Sequence, residues 1–574
     1  MSLQRTLTEC PLDVPLCCIR ADADDLISVL LVVVPVHISG PVRSRLGVIP
    51  VMCSNPQPWR STTSAGGVLP SRYFYYRLVT KVRASGNRPC ATPIQRLDDD
   101  VLINIFYHCR PVMLDEDEVD PVRILQGGEW DRERWWYKLV QVCQRWRCLI
   151  LTSPSYLGLC LVCTYGTPVA DMLAHSPPLP LVIDHAIRYR DVTVEDEDGI
   201  LLALQHHDRV RRIRLRMPIP QLQRLIMAID DHFPILEYLF LAPNTKHEIN
   251  LRLSQTFQAP QLRHLVLDIA CPIGSPLLTP VVGLVTLSLN NILTSTYFRP
   301  SDLLQRLLLM PQLETLGISF HSPVSNHVER PLLHSPTTAR VTLPNLRWFG
   351  FQGVSIYLEA LFSQLNTPLL EKLQILFFNQ LTYTVPRLLE FLGAAENLKF
   401  GSAKFTFHEK AIVVTVYPHE GDRIYAFMMV VRCRHLDWQV ATIAQLFNAL
   451  SPVFTDVWHL TLDYYGHFLS SEWHNEVDRT QWHELLKSFR NIKNLVVDNG
   501  LVGELSRSLS IDGIEPPPEL LPELDELRIF GRGDYGDGLM PFINARQTSG
   551  RPVRLVVECD SESESESESE SDWC

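Results

Sequence analysis

The 574-residue sequence has no long hydrophobic run, no surplus of basic charge and none of the short motifs that build common catalytic centres. Each absence closes off a class of function. The one candidate membrane segment, Leu26–Ile38, is interrupted by Pro35 and His37 and follows the acidic Asp22-Ala-Asp24-Asp25. It is well short of the roughly 20 apolar residues that a spanning helix needs. The opening residues carry Arg5, Glu9 and Asp13 and lack the signal-peptide pattern. Net charge is −12, and the segment Asp560–Asp572 holds seven acidic side chains, so −12 + 7 = −5 remains for everything else. A nucleic-acid binder carries the opposite, basic footprint. The 14 cysteines are irregularly spaced among apolar neighbours, the pattern of reduced, buried thiols. The expectation is a soluble protein of the cytoplasm and/or nucleus, with neither a nucleic acid nor a membrane as partner.

Catalytic signatures are equally sparse. There is no G-x-x-x-x-G-K-[ST] loop and no G-x-S-x-G elbow. Cys160-Leu-Val-Cys163 is a lone C-x-x-C whose side chains, in a strand, point to opposite faces. His483-Glu484 lacks the second histidine of H-E-x-x-H, because Lys487 stands there. Gly531-Arg-Gly533-Asp-Tyr-Gly536 follows a strand-like run and precedes Glu558 at the spacing of a dinucleotide fingerprint, but too little chain follows for a nucleotide domain. The sequence therefore predicts no catalytic residue, no metal ligand and no cofactor. An enzyme using the Gly531 loop stays as an alternative, testable by nucleotide titration against Gly533→Val.

What is present is repetition. Phe233-Pro-Ile-Leu-Glu-Tyr-Leu-Phe-Leu241, Ala259-Pro-Gln-Leu-Arg-His-Leu-Val-Leu267 and Met310-Pro-Gln-Leu-Glu-Thr-Leu-Gly-Ile318 share one pattern, P-x-L-x-x-L-x-L. It returns at Leu343–Phe351, Thr367–Ile375 and Leu521–Ile529, and without the proline from Val210, Leu284, Val457 and Ile492. The unit at Leu398 is degenerate, with Gly401 and Ala403 in place of large residues, and the step beyond it contains two extra strand-like runs, 411–417 and 426–433. Helical pieces lie between strands at 220–231, 302–310, 356–365 and 438–450. One strand and one helix cannot bury their own apolar face, so such units stack. The expectation is an α/β fold, a leucine-rich-repeat-like β/α solenoid over 158–558 with a curved parallel sheet lined by helices.

Ahead of it, residues 1–90 read as irregular, and 91–157 as helical with an acidic insert, Asp115-Glu-Asp-Glu118 and Asp120. Pro93-Ile-Gln-Arg-Leu-Asp-Asp-Asp-Val-Leu-Ile-Asn-Ile-Phe106 resembles the opening of an F-box, and Trp136-Tyr-Lys-Leu-Val-Gln-Val-Cys-Gln-Arg-Trp-Arg-Cys-Leu-Ile150 its second half, usually L-x-x-V-C-x-x-W. Together with the repeats, the chain resembles the large F-box family of mushroom-forming fungi. It departs from that pattern at Leu97-Asp98-Asp99-Asp100, where Leu-Pro-x-Glu is usual.

The resemblance implies a substrate receptor of a Skp–cullin–F-box ubiquitin ligase, with the F-box on a Skp-type adaptor and the repeats on a client protein. The adaptor set so implied is Pro93, Ile94, Leu97, Leu102, Ile105, Phe106, Trp136, Leu139, Val142, Cys143, Trp146 and Ile150. These apolar residues exceed what so small a helical element buries internally, so some of them face a partner or dock on the first repeats. Alternation within the strands places Arg212, Arg214, Arg216, Tyr238, Phe240, His264, Trp348 and His459 on the solenoid's concave face, the expected client surface. A repeat scaffold outside any ligase is the second reading. The alternating Ser561–Ser571 run suits an acidophilic kinase, each phosphate adding about −1.5 to −2 in charge. Its plainer reading is a solubilising tail over 559–574.

Overall fold

The computed structural model describes residues 97–110, 134–187, 190–229, 231–244, 257–269, 282–323, 340–422, 424–465, 479–509, 520–531 and 537–558. Residues 1–96, the acidic insert, the Arg532–Gly536 loop and the Ser/Glu tail lie outside them, and with them Pro93 and Ile94. The described residues form two compact units, one of 97–110 with 140–157, the other of 134–139 with 158–558.

The first unit contains the helices Asp99–His108, Gln144–Thr152 and Pro154–Leu157. Leu102, Phe106, Trp146 and Ile150 are buried, with the Phe106 and Trp146 rings meeting edge to face at 4.9 Å. Arg145 reaches back to the Asp99 carboxylate (2.6 Å) and the Leu97 carbonyl (2.5 Å), fastening the second helix to the start of the first. The helical stretch expected to run unbroken from Trp136 to Ile150 is divided. Trp135–Leu139 is a short helix belonging to the second unit, where Arg134 donates to the Val162 carbonyl and the Thr167 hydroxyl, each at 3.2 Å. Helix resumes only at Gln144, which leaves Val142 and Cys143 exposed between the two.

The second unit is mixed α/β. Its strands are β1 (Leu161–Cys163), β2 (Leu181–His185), β3 (Val210–Met217), β4 (Tyr238–Pro243), β5 (His264–Leu267), β6 (Thr286–Ile292), β7 (Thr315–Phe320), β8 (Val341–Thr342), β9 (Trp348–Gly353), β10 (Leu365–Asn366), β11 (Lys372–Phe377), β12 (Ser402–His408), β13 (Ala411–Tyr417), β14 (Phe427–Arg432), β15 (His459–Tyr465), β16 (Asn494–Asp498), β17 (Glu526–Phe530) and β18 (Arg554–Glu558). All except the small β8–β10 pair join one 16-stranded sheet. The helices between strands fall where the sequence predicts them, at Ile219–Ala228, Pro300–Leu307, Ser355–Phe362 and Leu436–Leu450.

The repeat pattern has a direct physical meaning. In each unit that carries the proline, and in those at Leu284, Val457 and Ile492, the first apolar residue sits just before the strand and the other two within it, and all three are buried. Leu313, Leu316 and Ile318 form one such trio, and Leu370, Leu373 and Ile375 another. Each side chain so buried contributes about 1.5–3 kcal/mol. Before the strands a backbone ladder links successive units: Glu237 N–H to Arg211, Arg263 to Glu237, Val285 to Arg263, Glu314 to Val285, Arg347 to Glu314 and Glu371 to Arg347, all at 2.7–2.8 Å. Asparagine adds a second tie. Asn345, Asn397 and Asn491, each one residue before an apolar anchor, donate to the preceding unit's turn at Pro311, Pro368 and Thr455, at 3.1, 3.5 and 2.7 Å.

The sheet departs from the expected all-parallel order in one place. After β11 the order is β14–β13–β12–β15, so a three-strand meander enters back to front and β13 runs antiparallel to both neighbours. The degenerate unit at Leu398 lies where this meander begins. Gly401 donates its N–H to Tyr417 at 2.9 Å, and a Cβ there would lie 2.2 Å from the Pro418 carbonyl oxygen. The meander needs a side chain of no size at that point, which dilutes the repeat signature.

Candidate interaction surfaces

One face of the sheet carries the buried apolar trios; the other carries the alternate side chains. Because the strands are in register, these alternates form rows across the sheet. Arg212, Tyr238, His264, Thr286, Thr315, Trp348 and Lys372 make one. Two residues further along each strand, Asp184, Arg214, Phe240, Val266, Ser288, Gly317, Gly350 and Gln374 make the next.

The eight residues expected on this face do lie in such rows, but five of them are not exposed. Arg214 is buried against Asp184, with Nη1 3.1 Å from its carboxylate. Burial pushes the Asp184 carboxyl above its usual range, although the Arg214 guanidinium opposes the shift. Arg216 is buried over the Phe240 ring (5.5 Å), and Arg212 sits over Tyr238 (5.8 Å). Tyr238, Phe240, Ala186 and Ala242 form a buried cluster. The reason is spacing: strands about 4.8 Å apart place the Arg212 and Arg216 guanidinium groups beside rings of the next strand and Arg214 beside a carboxylate of the one before, and the rows fill themselves. His459 is also buried, with Glu420 3.6 Å from its Nδ1, and burial lowers its pKa against the pull of Glu420.

Arg212, His264 and Trp348 keep partial exposure. His264 bonds Thr286 through Nδ1 at 3.1 Å. Trp348 is the most distinctive of the three. A Cβ at Gly350 would fall 2.2 Å from its ring and one at Gly317 3.5 Å, so the indole lies over a glycine floor on two neighbouring strands. Lys372, its registered neighbour, was not singled out by sequence, nor were the two glycines. The signal was there: Leu316-Gly317-Ile318 and Phe349-Gly350-Phe351 put glycine between two core residues, where a side chain would face outward.

In the helical unit, the residues implied as adaptor-binding separate by exposure. Leu102, Phe106, Trp146 and Ile150 are interior, Leu97 and Ile105 are partly exposed, and Val142 and Cys143 are open. Trp136 and Leu139 are buried in the other unit. Val101 and Tyr107 add exposed apolar surface, and the Tyr107 ring lies 5.1 Å from that of Tyr156, whose hydroxyl donates to Asn104 at 2.9 Å.

The near-motifs have ordinary surroundings. Cys160 packs with Val162 and Val182, whereas the Cys163 thiol, one face over, is pushed up to about 12 by burial. Glu484 pairs with Lys487 along its helix at 2.8 Å. Gly531 closes β17 with a φ of +115°, and Glu558 approaches Arg528 at 3.8 Å. Among the described residues no group of three or more His, Cys, Asp and Glu could hold a metal, and no helix is long and apolar enough to cross a membrane. Compared with protein-family models and with curated proteins, the chain shows no match to either.

Proposed function

We propose that this protein is a non-catalytic substrate receptor of a Skp–cullin–F-box ubiquitin ligase, with an F-box-like helical unit for the adaptor and a leucine-rich-repeat-like solenoid for the client. The observation that carries the reading is the pairing of two unlike parts in one chain. A small helical unit shows apolar side chains at Val101, Tyr107, Val142 and Tyr156. After it comes a long registered sheet whose outward rows offer binding surface. Repeat architectures of this kind present extended faces suited to proteins rather than enclosed cavities suited to small substrates. The burial of Leu102 and Trp146 moves the adaptor-facing surface to the exposed members of the set, Val142 and Cys143, with Ile105 and Leu97 at its margin. Titrating a purified Skp-type adaptor into the full-length protein tests the reading. Saturable 1:1 binding supports it; no binding at tens of micromolar adaptor hands the lead to a repeat scaffold outside any ligase.

A further inference from the structure

The 16-stranded sheet ends in two unlike edges. At the first, β1 is three residues long and wholly buried. Leu161 donates its N–H to Pro180 on the β2 side at 2.8 Å, so by alternation the Val162 carbonyl points to the open side, where Arg134 donates to it at 3.2 Å. That edge is closed. At the other, β18 pairs only with β17 among the described residues, and four of its five residues are exposed. Arg554 donates its N–H to Asp525 at 2.9 Å. The backbone groups of Arg554, Val556 and Glu558 therefore face β17, and those of Leu555 and Val557 face the bare edge.

The side chains of β18 are as incompletely covered as its backbone. Leu555 and Val557 are in register with Leu527 and Ile529, which are 0% and 1% exposed, yet they keep 38% and 41% of their own surface open. They are in the position of a repeat without a capping neighbour. On the opposite face Arg554 and Glu558 keep 76% and 57% of their side-chain surface open. Their nearest opposite charges, Glu526 and Arg528, stand at 3.7 and 3.8 Å.

Charge on an edge strand ordinarily protects it from pairing. Here the two charges are opposite in sign and stand two residues either side of Val556, so the strand is complementary to itself. With a second β18 laid antiparallel and Val556 on the two-fold axis, Arg554 faces the partner's Glu558 at both ends. Each Leu555 faces the partner's Val557, and the open backbone groups of these residues supply the hydrogen bonds. The Arg–Glu pairs fall at positions without hydrogen bonds, where side chains approach closest. Arg554 then lies between Glu526 and the partner's Glu558, and Glu558 between Arg528 and the partner's Arg554. A slip of two residues leaves both charges without an opposite, and a slip of one inverts the faces of one sheet.

We propose that two copies of this chain pair edge to edge through β18, antiparallel and centred on Val556, joining their two sheets into one. Because Arg134 closes the β1 edge, assembly stops at two, the closed two-fold arrangement of an isologous dimer. Five residues a side bury less than the roughly 1,200 Å² of stable interfaces, so the dimer is weak and depends on concentration. This association stands apart from the adaptor reading, which uses no residue of β18.

Sedimentation velocity of the full-length protein from low to high micromolar concentration tests it. The mass should rise from monomer to dimer and no further. Val557→Pro removes an N–H on the bare edge, a position where strands tolerate proline, and should weaken dimerisation at least tenfold, with folding checked by circular dichroism. Arg554→Glu and Glu558→Arg each set like charges opposite one another and should, alone, weaken it at least tenfold. An equimolar mixture of those two variants should recover the dimer, because every facing pair is then opposite in sign. A wild type that stays monomeric, a dimer that survives Val557→Pro, a mixture that associates no better than its components, or growth beyond two copies would each overturn the pairing.

Discussion

His185 is one residue whose surroundings act against its charged form. Its ring is 1% exposed, lies 4.7 Å from that of Tyr165, and has its pKa lowered to about 4, chiefly by burial. Asp196 opposes the shift and Arg190 adds to it. The folded pKa is below the unfolded value near 6.5, so the neutral ring stabilises the fold fully above pH 6.5, and that stability is lost as pH falls toward 4. The difference is at most about 3 kcal/mol. Urea midpoints of the wild type and His185→Gln should converge as pH drops through this window. Parallel curves from pH 7 to 4 would mean the imidazole is not held neutral. A second residue-scale prediction concerns the asparagine tie: Asn345→Ala should cost about 0.5–1.5 kcal/mol, the worth of one hydrogen bond, read as a lower urea midpoint. At this scale the sequence was only partly legible. Alternation assigned Arg214, Phe240 and His459 to the correct face, but burial depends on what the neighbouring strand supplies. That neighbour lies a whole repeat away in sequence.

Among the elements, the repeats were the most legible part of the chain, because three apolar residues at fixed spacing have one common environment in every unit. The short strand pair β8–β10 and the break between Leu139 and Gln144 were not legible. An apolar helical period continues through 136–150 regardless, yet helix stops at Leu139 and resumes at Gln144. The meander was visible as two extra runs but not as a reversal, since strand order leaves no mark in local pattern. Its linchpin gives a paired prediction. Gly401→Ala forces a Cβ against a backbone oxygen and should destabilise by about 1–3 kcal/mol. Gly393→Ala, in the helix Pro386–Ala394 with nothing within 4 Å of the added carbon, should be neutral or stabilise by up to about 1 kcal/mol. Chemical denaturation of both variants checks the contrast, and equal effects would contradict the role given to Gly401.

Taken whole, the molecule has two unlike parts. Its helical unit carries exposed apolar side chains, and its sheet carries rows of mixed polar and aromatic ones, in two compact units of one chain. If the helical unit grips an adaptor and the sheet a client, single exposed substitutions should disable one task and spare the other. The measurement that tests this most directly is the affinity of a purified Skp-type adaptor for three full-length proteins: wild type, Val142→Asp and Trp348→Ala. Both variants alter residues at least partly open to solvent, and their folding is checked by circular dichroism. The expected result is adaptor binding by the wild type, a loss of at least tenfold in Val142→Asp and no change in Trp348→Ala. Adaptor binding that is absent from the wild type, or that Trp348→Ala weakens as much as Val142→Asp, would contradict it.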